Sequence, residues 1–576
     1  MPAKKKTEIP EEKNLRVSDH PPDEAKEKKP VVKAATAKKA AAKPAAPKKA
    51  AAPKKAAAPK TAAKPAAPKK AAAKPAAADS APEPEPVPVP EDTTPKYFIL
   101  HAASEAQPFI KTGGLADVLG SLPKEQARQG NQVAVIIPKY KDIPNHFVEK
   151  MEYLTNFTVQ LGWRTQYCGV FRLKEEDVTY YFVDNEFYFG FPGVYTDGGN
   201  FEAERFSFFC RAVLEIMGRL NIYPDVLHCH DWQTGMIPFL LRTQYSFNPA
   251  YARIRCAYTI HNLKFQGVFS WPLIEGILFV DYQYNSPQFL EFNGAASFMK
   301  GGIIFSDIIT TVSPTYAREI QTEFFGEQLD GLLRSRNNVL YGVVNGVDMD
   351  EWSSEKDNLI PAHFTADDLA GKAVCKKNLQ HEMWLNERED VPLIGIVSRL
   401  TSQKGFDLIR HILPELMDHQ DVQFAILGTG ESQYEEFFKW ASSAYPGRIA
   451  AHIELNYPLS HRIYAGCDFF LMPSLFEPCG LSQIMSMRYG TLPIVRKTGG
   501  LADTVEPYNE YEVKGTGFAF DNYNAHEMMH IIEYALTVYR ERPEHMKALI
   551  RQAMTRDFSW TQSAKRYSEL YASIDR

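Results

Sequence analysis

The heptapeptide Lys-Thr-Gly-Gly-Leu-Ala-Asp stands at residues 111–117 and again at residues 497–503. Each copy precedes a helical pattern, and a Gly-Gly pair there lets backbone N–H groups approach an oxyanion at a helix N-terminus. The repeat therefore indicates two similar α/β domains that hold a phosphate in a shared cleft. The alternative is ordinary turn chemistry, in which Gly-Gly also precedes helices.

Short apolar runs alternate with helical segments on both sides of a charged stretch at residues 351–390. The first series of candidate strands is Tyr97–Ala102, Val133–Ile137, Tyr180–Val183, Val226–His230, Cys256–His261, Ile308–Val312 and Val339–Val344; the second is Leu393–Val397, Phe424–Leu427, Ile449–Ile453, Phe469–Met472 and Leu492–Val495. Continuous apolar runs are typical of parallel sheets, which are buried on both faces. We predict an α/β fold of two Rossmann-like, doubly wound domains facing a central cleft.

Residues 1–95 differ in composition from the rest of the chain. They hold 21 Lys and Arg against 12 Asp and Glu, and from Lys33 to Ala78 they are almost wholly Lys, Ala and Pro. Such a segment has too few apolar side chains to form a core, so we predict a disordered tail. The tail could bind polyanions weakly or serve as a solvated linker, and its early acidic residues argue against a transit peptide.

Bulk composition excludes several classes of protein. With 576 residues and 44% hydrophobic content, the chain can bury the cores of several domains. No stretch reaches about 18 uninterrupted apolar residues, so we expect no membrane span and no membrane partner. Seven scattered cysteines without a Cys-x-x-Cys pair predict neither disulfides nor a zinc site, which fits a cytoplasmic protein.

Polar side chains cluster directly after the predicted strands, where ligands bind in such sheets. In the first domain these residues are Ser104, Lys111, His230, Asp231, Trp232, Gln233, His261, Asn262 and Gln266, and in the second they are Ser398, Arg399, Lys404, Ser474 and Glu477. We expect the three cations Lys111, Arg399 and Lys404 to converge in a cleft with little to neutralise them, so together they predict a polyphosphate site. Taken singly, each cation could be an ordinary surface residue, and Glu477 could simply complement a helix N-terminus.

Other kinds of site lack support in the sequence. There is no P-loop motif, no complete dinucleotide fingerprint and no nucleophile elbow, and we expect no cofactor. His228 and His230 stand on one predicted strand, and we expect them to face opposite ways. The pair is therefore not expected to bind a metal ion together.

Seven ordered motifs point to one family. They are Lys111-Thr-Gly-Gly-Leu-Ala-Asp-Val, His230-Asp-Trp-Gln, Thr259-Ile-His-Asn-Leu-Lys-Phe-Gln-Gly, Phe298-Met-Lys-Gly-Gly-Ile, Asn345-Gly-Val-Asp, Ser398-Arg-Leu-Thr-Ser-Gln-Lys-Gly and Phe476-Glu-Pro-Cys-Gly-Leu. From about Lys96 to its end, the chain resembles the bacterial and plant glycogen and starch synthases of glycosyltransferase family 5.

This resemblance implies a GT-B fold and a retaining hexosyltransferase that moves glucose from ADP-glucose to the non-reducing 4-OH of an α-1,4-glucan without a metal ion. It assigns residues 96–345 to a starch synthase catalytic domain on the acceptor side and residues 346–555 to a nucleotide-sugar-binding domain. Residues 556–576 are expected to form a C-terminal helix that packs back on the first domain. The alternatives are UDP-glucose or another acceptor, or a non-catalytic protein that binds α-glucan or tethers a polyanion.

The resemblance also assigns roles to residues. Glu477 is expected to hold donor glucose hydroxyls, His261 and Asp231 to line the glucose pocket, and Arg399 and Lys404 to clamp the pyrophosphate. The other expected substrate-binding residues are Lys111, Gly113, Gly114, Asn262, Gly480, Leu481, Thr498 and Gly499. The adenine-stacking aromatic is not identified, because residues 455–458 depart from the family's usual Tyr-x-Glu. For retention, front-side attack assisted by the departing phosphate is favoured over a covalent Glu477 intermediate.

Overall fold

A computed structural model describes residues 96–196 and 198–574. Its strands are β1 Phe98–Ala102, β2 Gln132–Pro138, β3 Glu152–Leu161, β4 Arg164–Glu175, β5 Val178–Asp184, β6 Val226–His230, β7 Arg255–Ile260, β8 Val268–Ser270, β9 Glu291–Phe292, β10 Ala295–Ser297, β11 Ile308–Thr311, β12 Leu340–Gly342, β13 Leu393–Val397, β14 Gln423–Leu427, β15 Ile449–His452, β16 Phe469–Met472, β17 Leu492–Arg496 and β18 Phe518–Phe520. The predicted disordered tail, residues 1–95, and its polyanion binding lie outside the described residues.

The α-helices alternate with these strands. They are α1 Gly114–Arg128, α2 Asn145–Val148, α3 Glu186–Phe189, α4 Asn200–Leu220, α5 Met236–Leu240, α6 Pro249–Ala252, α7 Trp271–Leu278, α8 Phe298–Phe305, α9 Pro314–Glu319, α10 Asp330–Ser335, α11 Ala370–Glu382, α12 Phe406–His419, α13 Ser432–Ala444, α14 Tyr457–Gly466, α15 Ser482–Arg488, α16 Gly499–Thr504, α17 Ala525–Glu541, α18 Pro543–Thr555 and α19 Trp560–Ile574. The described residues belong to one compact unit. No helix in this part of the chain is both long and apolar enough to cross a membrane.

The first sheet has nine strands in the order β12-β11-β7-β6-β1-β2-β5-β4-β3. It is parallel from β12 to β5, as the continuous apolar runs predict, and all five residues of β6 are buried. The strand order reverses between β1 and β6, so the loops that follow these two strands are neighbours at the carboxyl edge of the sheet. That edge is where an open α/β sheet binds its ligand.

The antiparallel hairpin of β3 and β4 at the edge of this sheet was not predicted from the sequence. Five of the ten residues of β3 are polar or charged, and most of the strand is exposed or half-buried. An edge strand of this kind lacks the continuous apolar run by which the buried strands were recognised. Its partner β4 also carries charged residues, so neither strand shows the parallel-sheet pattern.

The second sheet has six parallel strands in the order β15-β14-β13-β16-β17-β18. The observed bounds of β13 and β16 are those predicted, because both are uninterrupted apolar runs. The order reverses between these two strands, which places the loops after Val397 and Met472 side by side. Arg399, Lys404 and Glu477 all lie in these loops, so the topology brings together residues that are far apart in the chain.

The last helix, α19, belongs to the core of the first sheet rather than to that of the second. Trp560, Tyr567 and Tyr571 are buried in the same hydrophobic cluster as β1 and β6. At the crossing point, a Cβ added to Gly346 would lie 2.7 Å from the backbone nitrogen of Trp560. The chain therefore passes between the two domains twice, and the C-terminus contributes directly to the core beneath the first domain's site.

Two short helices, one from each domain, cap each other across the domain boundary. The backbone N–H and the hydroxyl of Thr315 in α9 each donate to Asp503 in α16, both at 2.7 Å. In return, the hydroxyl of Thr498 and the backbone N–H of Gly499 donate to Glu319 at 2.9 and 3.0 Å. Four donors that would otherwise be lost at a buried junction are thus satisfied by the opposite domain.

Replacing Asp503 with alanine is expected to destabilise the protein by about 1 kcal/mol, because two donors of Thr315 lose their acceptor. Urea denaturation followed by circular dichroism measures this as a lower midpoint. The matched control is Asp418→Ala, which removes an exposed aspartate whose side chain has no hydrogen bond within the described residues. Equal midpoints for the two variants would show that the cross-domain caps contribute nothing to stability.

Candidate active site

Lys404 and Glu477 form a buried ion pair where the two central loops of the second domain meet. The Nζ of Lys404 lies 2.6 Å from Oε2 of Glu477, and the hydroxyl of Ser474 donates to the same oxygen at 3.1 Å. The two charged side chains are 16% and 8% exposed, so water screens their attraction poorly. The pair holds one cation and one carboxylate in a fixed place beyond the ends of β13 and β16.

Arg399 lies close by in sequence but differs from Lys404 in its surroundings. Its side chain is exposed, and within the described residues it has no hydrogen bond or ion pair. Lys111, by contrast, pairs with Asp117 at 2.6 Å. The expectation of three cations with little to neutralise them was therefore wrong for Lys111 and Lys404. Asp117, the partner of Lys111, closes the same heptapeptide, whereas Glu477 reaches Lys404 only through the fold. Arg399 alone of the three has its charge free for an anion.

The second copy of the repeated heptapeptide packs against the backbone of the loop that carries Glu477. Gly500 donates its N–H to the carbonyl of Glu477 at 3.0 Å. At Gly499, which has φ of 45°, a Cβ would lie only 1.9 Å from that carbonyl oxygen, so no larger residue fits. The N–H of Gly499 and the hydroxyl of Thr498 are already taken by Glu319. Thr498 and Gly499 were predicted to bind substrate, but in this structure both donate hydrogen bonds to Glu319. Their contact with substrate stays a prediction.

The first copy lies against the opposite domain. Gly113 and Gly114 begin α1, and a Cβ added to Gly114 would be 3.8 Å from Cδ1 of Leu481. The carboxylate of Glu105 binds both the N–H and the hydroxyl of Thr112 and so fixes the loop. Gly114 and Leu481, predicted site residues of different domains, are thus near enough that one added methyl group would bridge them.

Gly480 and Leu481 stand just before α15. Within the described residues, neither backbone N–H has a hydrogen-bond partner. Free N–H groups ahead of a helix are suitable ligands for an anion. The predicted contact of these two residues with a diphosphate is compatible with this geometry and stays a prediction.

Asp231 organises the polar groups after β6 and β7. It has φ of 55°, an uncommon value for a residue other than glycine. Its Oδ1 accepts from the backbone N–H of His261 at 2.7 Å and, more weakly, from that of Asn262 at 3.4 Å. Burial raises the pKa of Asp231 to about 7, although these hydrogen bonds oppose the shift. The aspartate therefore sets the position of the His261-Asn262 backbone.

His261 is the outermost member of a row of histidines. Its Nε2 lies 3.0 Å from Nδ1 of His230, whose Nε2 lies 3.1 Å from Nδ1 of His101. Burial lowers the pKa of His261 to about 3 and that of His101 to about 4, so the rings are neutral at physiological pH. Of the three, His230 and His261 were named from the sequence as residues at strand ends, and only His261 was assigned a site role. His101 lies within β1 and gives no such signal.

His228 and His230 lie on the same face of β6, with ring centroids 4.2 Å apart. The expectation that they face opposite ways was wrong, because side chains on a strand alternate with a period of two and residues two apart share a face. With His101, their ring nitrogens come within 4.8 Å of one another, a spacing that could hold a metal ion. All six ring nitrogens nevertheless have hydrogen-bond partners within the protein, which explains the cluster without a metal.

A second polar cluster lies between the first heptapeptide loop and α4. The hydroxyl of Tyr195 is 3.0 Å from that of Ser104 and accepts from the amide of Gln233 at 3.1 Å. Arg205 is fully buried and bonded to Glu202 at 2.8 Å, so it cannot reach a ligand without rearrangement. Ser104 and Gln233 were named from the sequence as polar residues at strand ends but were given no site role, and Tyr195 was not named.

Comparison with known proteins agrees with this arrangement. Residues 98–335 match the family model "starch synthase catalytic domain", and residues 381–554 match "glycosyl transferases group 1". The chain is 49% identical over 476 residues to a glycogen synthase of Geobacillus thermodenitrificans, covering 83% of this chain and 97% of that one. It is 50% identical over 476 residues to a glycogen synthase of Bacillus cereus, covering 83% and 99%.

Among solved structures, the chain is similar to the catalytic domain of starch synthase IV from Arabidopsis thaliana bound to ADP and acarbose. The TM-score is 0.77 at 33% identity, over 83% of this chain and 99% of that one. A sucrose-phosphate synthase from Thermosynechococcus elongatus has a TM-score of 0.52 at 15% identity, over 83% and 98%, which shows a likeness of fold alone. The predicted GT-B architecture is thereby confirmed.

Proposed function

Because the chain belongs to the glycogen and starch synthase family of glycosyltransferases, we propose that it transfers glucose from ADP-glucose to the non-reducing 4-OH of an α-1,4-glucan with retention of configuration. The observation that carries this proposal is the buried Lys404–Glu477 pair, together with Arg399 in the same loop as Lys404, whose side chain has no partner within the described residues. A carboxylate suited to sugar hydroxyls and two cations suited to a diphosphate lie in neighbouring loops. ADP and acarbose in the starch synthase IV structure support the same ligand classes.

Departure of the diphosphate places negative charge in the cleft, and the cations stabilise it. Arg399 offers a planar fork for phosphate oxygens, and Lys404 offers a point charge. As Lys404 donates a hydrogen bond to the departing diphosphate, its bond to Glu477 weakens. The carboxylate of Glu477 then becomes a better acceptor for the hydroxyls of the donor glucose. Charge stabilisation of this kind, which a divalent cation provides in other transferases, is a large term in catalysis.

Retention follows from front-side attack in this proposal. Glu477 accepts hydrogen bonds from Lys404 and Ser474 through one oxygen, an arrangement that suits a hydroxyl-binding group. The departing phosphate takes the proton of the acceptor 4-OH as that oxygen bonds to the anomeric carbon. His261 and Asp231 line the glucose pocket, and Lys111, Asn262, Gly113 and Gly114 complete the donor side from the first domain.

The protein is proposed to work in the cytoplasm. All seven cysteines are free and buried, as expected in a reducing compartment.

The decisive experiment measures transfer of radiolabelled glucose to glycogen by purified full-length protein, with ADP-glucose and UDP-glucose in parallel. We expect incorporation from ADP-glucose at least about tenfold faster, and we expect α-amylase to release the incorporated label in small oligosaccharides, as newly formed α-1,4 bonds require. Faster transfer from UDP-glucose would overturn the donor assignment. No transfer from either donor, together with binding to glycogen, would favour the non-catalytic alternative.

A further inference from the structure

A buried line of polar side chains connects His261 with the C-terminal helix. Beyond His261, His230 and His101, the next member is Gln126 of α1, whose Oε1 lies 2.7 Å from Nε2 of His101. The amide nitrogen of Gln126 donates to the hydroxyl of Tyr571 in α19 at 3.2 Å. Gln126, His101, His230 and Tyr571 have exposures at or near zero, so water does not compete for these bonds. We call these five residues the histidine relay.

The relay has a direction, because a neutral imidazole has one donor and one acceptor nitrogen. Gln126 presents its oxygen to His101, so Nε2 of His101 carries the proton and Nδ1 accepts from Nε2 of His230. Nδ1 of His230 then accepts from Nε2 of His261. In His261 the proton is therefore on Nε2, and Nδ1 keeps its lone pair. If the amide of Gln126 were reversed, every proton along the line would move to the other nitrogen.

His261 is where the relay meets the cleft. Its Nδ1 has no hydrogen-bond partner within the described residues, and the residue is partly exposed. This nitrogen is therefore available to a ligand, and the relay decides whether it accepts or donates a hydrogen bond.

We propose that Gln126 is a positioning residue that acts through His101 and His230 to hold His261 in the tautomer whose Nδ1 accepts a hydrogen bond from a donor-sugar hydroxyl. The last step rests on the proposed function, whereas the tautomer itself does not. Tyr571 contributes by occupying the amide nitrogen of Gln126, which keeps the oxygen turned towards His101. The C-terminal helix thereby takes part in setting the chemistry of the site.

A branch of the network leaves the relay at Tyr571. The tyrosine hydroxyl lies 2.8 Å from Nδ1 of His228, whose Nε2 lies 2.6 Å from the hydroxyl of Thr259. The branch gives His228 a partner at both nitrogens. It also gives the hydroxyl of Tyr571 an acceptor for its own proton, so the hydroxyl oxygen can accept from Gln126.

The test reads the tautomer of His261 directly in the full-length protein without substrate, from the imidazole 15N chemical shifts of histidine-labelled protein. Comparison with His261→Gln identifies the signals. In the wild-type protein we expect the Nε2–H tautomer alone. In Gln126→Met, which keeps the size but removes both hydrogen bonds, we expect a mixture of tautomers and about a tenfold lower kcat/KM for ADP-glucose, the value of one lost hydrogen bond. The KM for glycogen is expected to stay unchanged.

Two further variants separate tautomer control from packing. Gln126→Glu keeps an oxygen for His101 and is expected to restore the wild-type tautomer. Tyr571→Phe is expected to give a mixture, as Gln126→Met does, but with less of the second tautomer. The matched control is Tyr567→Phe, which removes another buried hydroxyl one turn away on α19 that forms no hydrogen bond with His261, His230, His101 or Gln126.

Three results would overturn the proposal, the first two of them readings of the His261 tautomer. One is a wild-type His261 with its proton on Nδ1. The other is a Gln126→Met protein whose His261 tautomer matches that of wild type and Tyr567→Phe. Bound zinc at one ion per chain, displacing the hydrogen bonds among His101, His228 and His230, would also contradict it. If His261 were in the Nε2–H tautomer but the protein transferred no glucose, the proposal about Gln126 would hold and the proposed function would be wrong.

Discussion

Lys404→Ala is expected to lower kcat for glucose transfer by about 100-fold or more, because a cation that stabilises the departing diphosphate is lost. The same change leaves Glu477 buried with the hydroxyl of Ser474 as its remaining side-chain partner. An uncompensated buried carboxylate is costly, so we also expect a lower thermal midpoint. Initial rates with saturating ADP-glucose and glycogen, normalised to folded protein, measure the catalytic effect alone.

The chain offers a close control for this variant. Lys376 pairs with Asp468 at 2.8 Å in the same domain, and the two side chains are 8% and 15% exposed. Lys376→Ala therefore breaks an ion pair of similar burial and is expected to cost at least as much stability, since Lys376 also bonds two backbone carbonyls. Its kcat per folded molecule should stay near that of wild type. If both variants lost activity equally, the effect of Lys404 would be one of folding.

Glu477→Gln tests the other half of the pair. The amide keeps the size of the side chain and an acceptor oxygen but not the charge, so binding of sugar hydroxyls weakens and Lys404 loses its partner. We expect a fall in kcat similar to that of Lys404→Ala. A covalent Glu477 intermediate would instead abolish turnover and would appear as a trapped glucosyl-enzyme in mass spectra of the wild type. Its absence there is the result expected for front-side attack.

Arg399→Ala is also expected to have a large effect on activity, but unlike the changes at the ion pair it should leave stability intact. The side chain is exposed and has no partner within the described residues, so its removal is expected to change unfolding by less than about 0.5 kcal/mol. Loss of its contact with the diphosphate should lower kcat/KM for ADP-glucose about 100-fold. Arg399→Lys keeps the charge but not the planar fork, so its kcat/KM for ADP-glucose is expected to lie between that of wild type and that of Arg399→Ala.

Arg410→Ala is the matched control for Arg399. Arg410 lies in α12 of the same domain, is also exposed, and has no hydrogen bond or ion pair in the described part of the chain. Calorimetry with ADP should show weaker binding for Arg399→Ala and unchanged binding for Arg410→Ala. If Arg399→Ala kept the kcat/KM and the ADP affinity of wild type, the assignment of Arg399 to diphosphate binding would be wrong.

Much of the fold could be predicted from the sequence because buried strands are marked by local runs of apolar residues. An uninterrupted apolar run marks a buried parallel strand, and β6, β13 and β16 have the predicted bounds. The reading failed at β3 and β4, whose polar edge positions show no such run. The candidate site residues were chosen for the same local reason, since polar groups that directly follow a buried strand stand out in the chain, and their roles stay predictions.

What the sequence determined by itself, then, is the pair of α/β domains and the positions of polar groups at the strand ends. The tertiary structure decided which charges remain free: Asp117 and Glu477 neutralise two of the three cations, and only Arg399 is left unpaired within the described residues. It also decided that Glu319 occupies the second glycine loop and that Gln126 meets Tyr571 across 445 positions of the chain. Apolar periodicity encodes which residues are buried, but partners at long range are set only when the two sheets and the returning C-terminal helix pack together.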